Sequence, residues 1–264
     1  MSRRFGALAV LLLLTPVAAE ARPLRVLSLD QCADQYVLAL SPAAELALSS
    51  RADDSDSWMR QTARGRPRVR PTLEAAIGFQ PDVVVRYWGG EPRLLTALER
   101  RGTRVLVIND AVDMAGVREN LRYVSRGLGQ ETRGAALIAH MDRQLAEAAG
   151  AGRDREAVYV TPGGYTTGPG SLIDSILKAA GFRNGVTGPG YQPLGIEKIA
   201  LAPPALFVRG FFHQWRSDWR GAGRHPVVRR AARGRTVADL PASALGCPAW
   251  FAADAAALLS EAAR

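Results

Sequence analysis

Two stretches of the chain place an arginine at the end of an apolar run and follow it with aromatic residues. In "VVVRYWGG", Arg86 is followed by Tyr87 and Trp88. In "LFVRGFFHQWRSDW", Arg209 is followed by aromatic and imidazole side chains, namely Phe211, Phe212, His213, Trp215 and Trp219. A guanidinium group offers a planar set of donors that suits carboxylate or catecholate oxygens, and aromatic walls bury a large flat apolar body. The pattern therefore predicts a site for a bulky, partly anionic ligand.

Further aromatic residues, Trp58, Tyr165 and Tyr191, lie in loops on both halves of the chain. The candidate ligand contacts are therefore Arg86, Tyr87, Trp88, Trp58, Tyr165, Tyr191, Arg209, Phe211, His213 and Trp215. The alternative for each aromatic residue is an ordinary place in the hydrophobic core, and we expect that of about half of them. The two arginines are harder to explain in this way, because a buried strand that ends in a charge needs a partner for it.

Other chemistry is not supported by the motifs. His140, His213 and His225 lack the spacing of a metal site, so no bare metal is predicted. The glycine-rich "TPGGYTTGPGS" lacks both the lysine of a phosphate loop and the spacing of a dinucleotide fingerprint. "GPGSL" contains a serine but not the second glycine of a nucleophile elbow, which leaves an exported hydrolase as a remote alternative. We predict a binding protein without catalytic residues or a bound cofactor of its own.

Cys32 and Cys247 are the only cysteines. An even count in an exported chain is consistent with one disulfide that joins the start of the chain to its end. Two free thiols or a pair of soft metal ligands remain open alternatives.

The elements that must position these residues alternate between short strands and helices. Strands are predicted at "RVLSL", "ELALSS", "DVVVR" and "RVLVIND" in the first half, and at "AVYVTP", "ALFVRG" and "RTVADLP" in the second. Asp30 is a plausible cap of the first helix. Apolar strands of this length between helices are typical of a parallel sheet that is covered on both faces. Residues 112–150 carry only helical patterns, with Ala135, Ile138, Met141 and Leu145 at helical spacing.

An internal repeat explains this order. "EAAIGFQPDVVVR" begins at Glu74 and "EKIALAPPALFVR" begins at Glu197, and the two share an acidic first residue, a proline, a valine and a final arginine at the same offset of 123 residues. We predict an α/β protein with two Rossmann-like lobes, each with a parallel sheet, joined by a single long α-helix. The predicted boundaries are residues 22–130 for the first lobe, 131–150 for the helix and 151–264 for the second lobe.

The first residues have the order of a secretory signal peptide. Arg3 and Arg4 precede an apolar run that is too short to span a bilayer, and an A-x-A pattern ends at Ala21. We expect export to the periplasm with cleavage near Ala21, and an uncleaved anchor is the alternative. The net charge of +9 comes almost wholly from scattered arginines, so we do not predict nucleic-acid binding.

The chain resembles the periplasmic binding proteins of ABC importers that carry ferric siderophores, heme and cobalamin. The resemblance lies in "RVLSLDQCADQYVLAL", "EAAIGFQPDVVV", "GTRVLVIND" and "RENLRYVSRGLGQETRGAALIAHMDRQL" in the first part of the chain, and in "GGYTTGPGSLIDSILKAAGFRNGV" and "IEKIALAPPALFV" in the second. It implies a monomer that holds a metal chelate between its lobes and delivers it to a permease with its ATPase. A sensor or accessory subunit of the same fold without a permease is the alternative.

The resemblance also implies that one glutamate on each lobe, here Glu74 and Glu197, pairs with arginines of the permease. Ordinary solvated helix charges are the alternative for both. Among the ligands, the paired arginines favour an anionic ferric siderophore, while the aromatic residues would suit cobalamin equally well and a tyrosine or histidine could ligate heme iron. Pro203-Pro204 stands where the family usually has Pro-Asp.

Overall fold

The structure is a computed structural model that describes residues 22–214 and 218–264. The predicted signal peptide over residues 1–21 and the predicted ligand contact Trp215 lie outside the described residues. Within the described part, no helix has both the length and the apolar character that a bilayer crossing requires.

The first lobe alternates strands and helices as predicted. Its elements are β1 (Arg25–Ser28), α1 (Gln31–Leu40), β2 (Glu45–Ala47), α2 (Arg60–Ala63), α3 (Leu73–Phe79), β3 (Val83–Arg86), α4 (Pro92–Glu99), β4 (Arg104–Val107) and α5 (Met114–Gly127). The strands form one parallel sheet in the order β2-β1-β3-β4. The valines of β3 are fully buried, as expected of a central strand with helices on both faces.

After α6 (Glu131–Ala148), the second lobe repeats this plan. Its elements are β5 (Glu156–Val160), β6 (Tyr165–Thr167), α7 (Leu172–Ala179), β7 (Arg183–Asn184), β8 (Tyr191–Pro193), α8 (Ile196–Leu201), β9 (Leu206–Gly210), α9 (Pro226–Ala232), β10 (Thr236–Leu240), α10 (Ala242–Leu245) and α11 (Ala252–Ala263). The parallel sheet has the order β7-β5-β9-β10, which matches the first lobe strand for strand. The short antiparallel pair β6-β8 belongs to the second lobe. The two-lobe α/β prediction is confirmed.

The long helix α6 joins the lobes, because Met141 lies in the first lobe's core and Ala148 in the second lobe's core. Its 18 residues span about 27 Å at 1.5 Å per residue. The predicted apolar stripe is wrong at Ala135, which is exposed, because the helix turns Gly134 inward instead. A Cβ atom at Gly134 would lie 2.3 Å from the Ser125 Oγ atom, so the absence of a side chain lets α6 pack closely on α5.

The chain also returns to the first lobe near its end. Residues 246–251, which we call the return segment, place Cys247, Trp250 and Phe251 in the first lobe's core. Helix α11 then packs against α6 and β10. The lobes are thus connected by the return segment as well as by α6, and the signal for this return in the sequence was the candidate bond between Cys32 and Cys247.

Candidate functional site

The carboxyl ends of the strands in each sheet lie at one edge, and the loops that follow them face the space between the lobes. In the first lobe this edge is organised by Asp30, which follows β1 and is only 1% exposed. Its carboxylate accepts backbone N–H groups at 2.7 to 3.1 Å, from Cys32, Ala33, Tyr87, Trp88 and Gly89. The predicted cap of α1 is confirmed. The same carboxylate also binds the loop after β3, and this second role was not predicted.

Arg86, the last residue of β3, is half-buried, and its Nε atom donates to the Gly89 carbonyl at 2.6 Å. The guanidinium group is therefore held by its own loop. Trp88 in the same loop is 56% exposed, while its backbone is fixed by Asp30.

Arg209, the matching residue of β9, has a partner within the protein. Asp239 lies beside it in the register of β9 and β10, and the two side chains form a bidentate ion pair. The Arg209 guanidinium carbon also lies 4.9 Å from the Phe212 ring centroid. The charge partner that Arg209 needs is thus a carboxylate on the neighbouring strand, and a ligand contact at Arg209 stays a prediction.

Two other predicted contacts lie close to this ion pair. The His213 Nε2 atom is 3.9 Å from an Asp239 carboxylate oxygen, and the imidazole is largely exposed. Phe211 has a left-handed backbone (φ 64°), and its half-buried ring packs against the second lobe's core.

A cavity of about 360 Å³ opens between the lobes. It is lined by Tyr87, Asp110, Ala111 and Val112 from the first lobe, by Gly170, Ser171, Leu172 and Tyr191 from the second, and by Leu245, Gly246, Cys247 and Pro248 around the return segment. We call it the cleft cavity. The structure thus places Tyr87 and Tyr191, two of the predicted contacts, on opposite sides of one cavity, each on a different lobe.

Tyr87 is held in place at this cavity, because its hydroxyl donates a hydrogen bond to the Asp110 carboxylate. Burial and the neighbouring Asp110 charge raise the pKa of Tyr87 well above its usual value. Tyr191 is 64% exposed at the mouth of the cavity. Asp110 is the one charged residue among the described residues that line the cavity.

Trp58 lies between the lobes but serves packing. Its ring stacks on Phe251 at 5.2 Å, and it contacts the cores of both lobes. Next to it, the Gln214 amide of the second lobe donates to the Asp56 carboxylate of the first lobe at 2.7 Å. Tyr165, in β6, is 53% exposed and does not line the cleft cavity.

The two predicted docking residues occupy equivalent places. Glu74 and Glu197 are each the second residue of a helix, in α3 and α8, and both side chains are exposed. Each helix precedes the matching strand of its lobe, β3 or β9. The structure therefore presents one carboxylate per lobe in the same setting.

Cys32 and Cys247 are placed as a pair, with their Sγ atoms 2.07 Å apart. Cys32 lies at the start of α1 and Cys247 in the return segment, and both belong to the first lobe's core. Nearby, the Tyr36 hydroxyl donates to the Pro248 carbonyl at 2.6 Å. These contacts attach the return segment to the first lobe, and Cys247 and Pro248 of that segment line the cleft cavity.

Several residues of the site were missed by sequence reasoning. Asp110 and Ser171 belong to no binding motif in the sequence, and neither does the return segment. The available signal for Asp110 was its position as the last residue of the predicted strand "RVLVIND".

No known family model matches the chain. A cobalamin-binding protein of Halobacterium salinarum is 28% identical over 207 residues, which are 74% of this chain and 56% of that protein, so the chain spans little more than half the length of this relative.

Similar solved structures cover almost the whole chain. The periplasmic heme-binding protein HutB of Vibrio cholerae has a TM-score of 0.69 at 16% identity, over 90% of this chain and 98% of that one. The periplasmic heme-binding protein RhuT of Roseiflexus sp. RS-1 has a TM-score of 0.68 at 18% identity, over 92% and 100%. BhuT, a periplasmic heme-binding protein solved with two hemes, has a TM-score of 0.67 at 21% identity, over 91% and 99%. The chain therefore has the two-lobe fold of the periplasmic substrate-binding proteins that its sequence resembles.

Proposed function

We propose that the chain is the periplasmic substrate-binding protein of an ABC importer. It binds a metal chelate between its lobes and delivers the chelate to a membrane permease and its ATPase. Residues 1–21 direct export and are removed near Ala21. Export, delivery and the monomeric state are parts of this proposal.

The observation that carries the proposal is the cleft cavity, to which both lobes contribute a tyrosine. A ligand that contacts Tyr87 and Tyr191 together would hold the lobes at a defined separation. Glu74 and Glu197, one on each lobe, would then lie at a defined distance from each other, which a partner could recognise. Rim charges of this kind mainly set orientation and the rate of encounter.

We propose a corrinoid as the ligand of the cleft cavity. Its charged lining residue is a carboxylate, Asp110, which repels an anionic chelate but accepts hydrogen bonds from the amide groups around a corrin ring. Arg209, the main argument for an anionic siderophore, is neutralised by Asp239. The cobalamin-binding relative supports the same choice.

A ferric siderophore is the second candidate. Arg209 and Asp239 are each about one-third exposed at the strand ends, so an anionic ligand could displace Asp239 from the guanidinium group. This candidate requires a break in an existing ion pair, whereas the corrinoid does not.

Titration of the purified protein with cyanocobalamin, hemin and a ferric catecholate siderophore tests the choice. We expect calorimetry and tryptophan fluorescence to detect saturable binding of cyanocobalamin, and we expect Asp110→Arg to weaken that binding by about tenfold or more. Asp218→Arg, at an exposed position in the second lobe, is the charge-matched control. Binding of the siderophore alone, strengthened by Asp110→Arg, would reverse the assignment.

A further inference from the structure

The second lobe contains another pocket, which shares no lining residue with the cleft cavity. Its volume is about 510 Å³, within the range of roughly 300 to 1,000 Å³ that is usual for small-molecule sites. It lies along α8, beside β5 and the loop that connects β7 to β8. Its lining includes Glu156, Val158, Gln192, Leu194, Ile199 and Ala202.

The internal repeat explains why the space is open. At the repeat offset of 123 residues, Ala202 corresponds to Phe79 and Gln192 corresponds to Val69. In the first lobe, Phe79 and Val69 both pack against the core on this side of the sheet. The second lobe has the corresponding helix, which ends one residue earlier at Leu201, and it carries an alanine in place of the ring, so the equivalent volume is left unfilled.

The first lobe also shows what this space can hold. The Arg25 guanidinium lies 4.8 Å from the centroid of the Phe79 ring. Glu156 occupies the position in the second sheet that Arg25 occupies in the first. Arg25 pairs in register with Glu45 of β2, and Glu156 pairs in register with Arg183 of β7, the equivalent strand. In the first lobe, an aromatic ring therefore fits between α3 and β1.

The walls of the pocket are built for an apolar ring with a polar edge. Val158, Leu194 and Ile199 are buried and give an apolar floor. Glu156 and Lys198 stand at the rim, and the Glu156 carboxylate is bound by Arg183 at 2.8 Å. A Cβ atom at Gly185 would lie 2.9 Å from side-chain atoms of Glu156 and Val158, so a glycine is needed to keep these walls together.

We propose that this pocket is a second binding site, which takes a small aromatic molecule whose ring occupies the space that the Phe79 side chain fills in the first lobe. The proposal rests on the comparison of the two lobes and is independent of the ligand in the cleft cavity.

Indole is the probe, and methyl NMR of the purified protein is the measurement. Indole is expected to shift the methyl signals of Ile199 and Leu194 in a saturable way and to leave Ile108, in the first lobe's core, unmoved. Ala202→Phe is expected to weaken this binding by about tenfold or more, because the added ring takes the space. Ala202 has an extended backbone (φ −139°), which a phenylalanine can adopt.

Leu201→Phe is the matched control, because this substitution adds the same ring one residue away from Ala202. Leu201 is 88% exposed and does not line the pocket. It should bind indole as the unmodified protein does. The converse variant, Phe79→Ala, should create a second indole site whose signature is a shift of the Val69 methyl signals.

The proposal is overturned if Ile199 does not respond to indole, if Ala202→Phe and Leu201→Phe bind it equally well, or if Phe79→Ala gains no response at Val69. If Ala202→Phe does not fold, the response of Ile199 in the unmodified protein together with the Phe79→Ala result still decides the matter.

Discussion

The two lobes share a plan of strands but differ in the side chains that make it work. In the first lobe Arg25 on β1 pairs with Glu45 on β2 at 3.1 Å, and in the second lobe Glu156 on β5 pairs with Arg183 on β7 at 2.8 Å. The charges have changed places across the same register. The comparison teaches that the repeat preserves the backbone pairing and the neutrality of each pair, and not the sign of either residue.

The loops at the cleft differ more strongly. In the first lobe, buried Asp30 binds both the start of α1 and the loop after β3. In the second lobe, the corresponding cap Ser171 accepts the Asp174 N–H and donates its hydroxyl to the Gly168 carbonyl, so its contacts stay within the few residues around the start of α7. The loop after β9 is longer and contacts the first lobe through Gln214 and Asp56. We infer that the first lobe is the more rigid wall of the cleft.

The largest expected effect comes from Asp30. Asp30→Ala leaves several buried N–H groups without an acceptor, so we expect the free energy of unfolding to fall by about 3 to 5 kcal/mol. Urea unfolding followed by circular dichroism measures this. Ser171→Ala, at the equivalent cap, should cost only about 1 kcal/mol. Equal losses in the two variants would contradict the difference between the lobes.

The Cys32–Cys247 pair should have the next largest effect. Cys247→Ser in an oxidised sample is expected to lower the free energy of unfolding by about 2 to 4 kcal/mol, because a bond across 215 residues restricts the unfolded chain. Urea unfolding of the variant and of the unmodified protein measures this loss. A reducing agent should bring the unmodified protein to the stability of the variant, and mass spectrometry of a digest should detect the linked peptides. An unmodified protein that is unaffected by reduction would contradict the bond.

Asp34 makes the first lobe sensitive to pH. Burial raises its pKa from 3.8 to about 6, although Ser49 donates two hydrogen bonds to the carboxylate. Because the folded state holds this proton more tightly than the unfolded state, the stability contributed by the protonated carboxyl group is lost as the pH rises from about 4 to about 6.

We therefore expect Asp34→Asn to become more stable relative to the unmodified protein as the pH rises. The difference between their free energies of unfolding should shift by roughly 2 to 3 kcal/mol in favour of the variant from pH 4 to pH 7. Urea unfolding at both pH values measures it. The corresponding residue behind the cap of α7 is Ser175, so Ser175→Ala should change stability equally at both pH values. A difference for Asp34→Asn that does not vary with pH would contradict the assignment.

The smallest expected effect concerns the two exposed glutamates. If both lobes contact a permease, Glu74→Arg and Glu197→Arg should each reduce uptake by about tenfold while leaving ligand affinity unchanged. Uptake in whole cells and calorimetry with the purified protein separate the two quantities. Glu119→Arg, at an exposed position on α5, is the control. Loss in only one of the two variants would show that the lobes do not dock equivalently.

Much of the fold could be predicted because it depends on short-range patterns. The apolar run "VVVR" between two helical stretches predicts β3, and the repeat with "LFVR" predicts its partner β9. Asp30 was predicted as a cap because that role involves only its next few residues. The packing of α6 was predicted less well, since Gly134 faces α5 in place of Ala135 and a glycine carries no apolar signal.

The sequence by itself determined the two α/β lobes, the long helix between them and the pairing of equivalent residues such as Glu74 and Glu197, because strand and helix periodicity and the repeat are local properties of the chain. Only the tertiary structure decided which charges are free, since Arg209 is neutralised by Asp239 and Arg86 is held by its own loop. It also decided that the return segment belongs to the first lobe. Such partners lie tens or hundreds of residues apart, and their contact depends on how the sheets stack and the chain turns back.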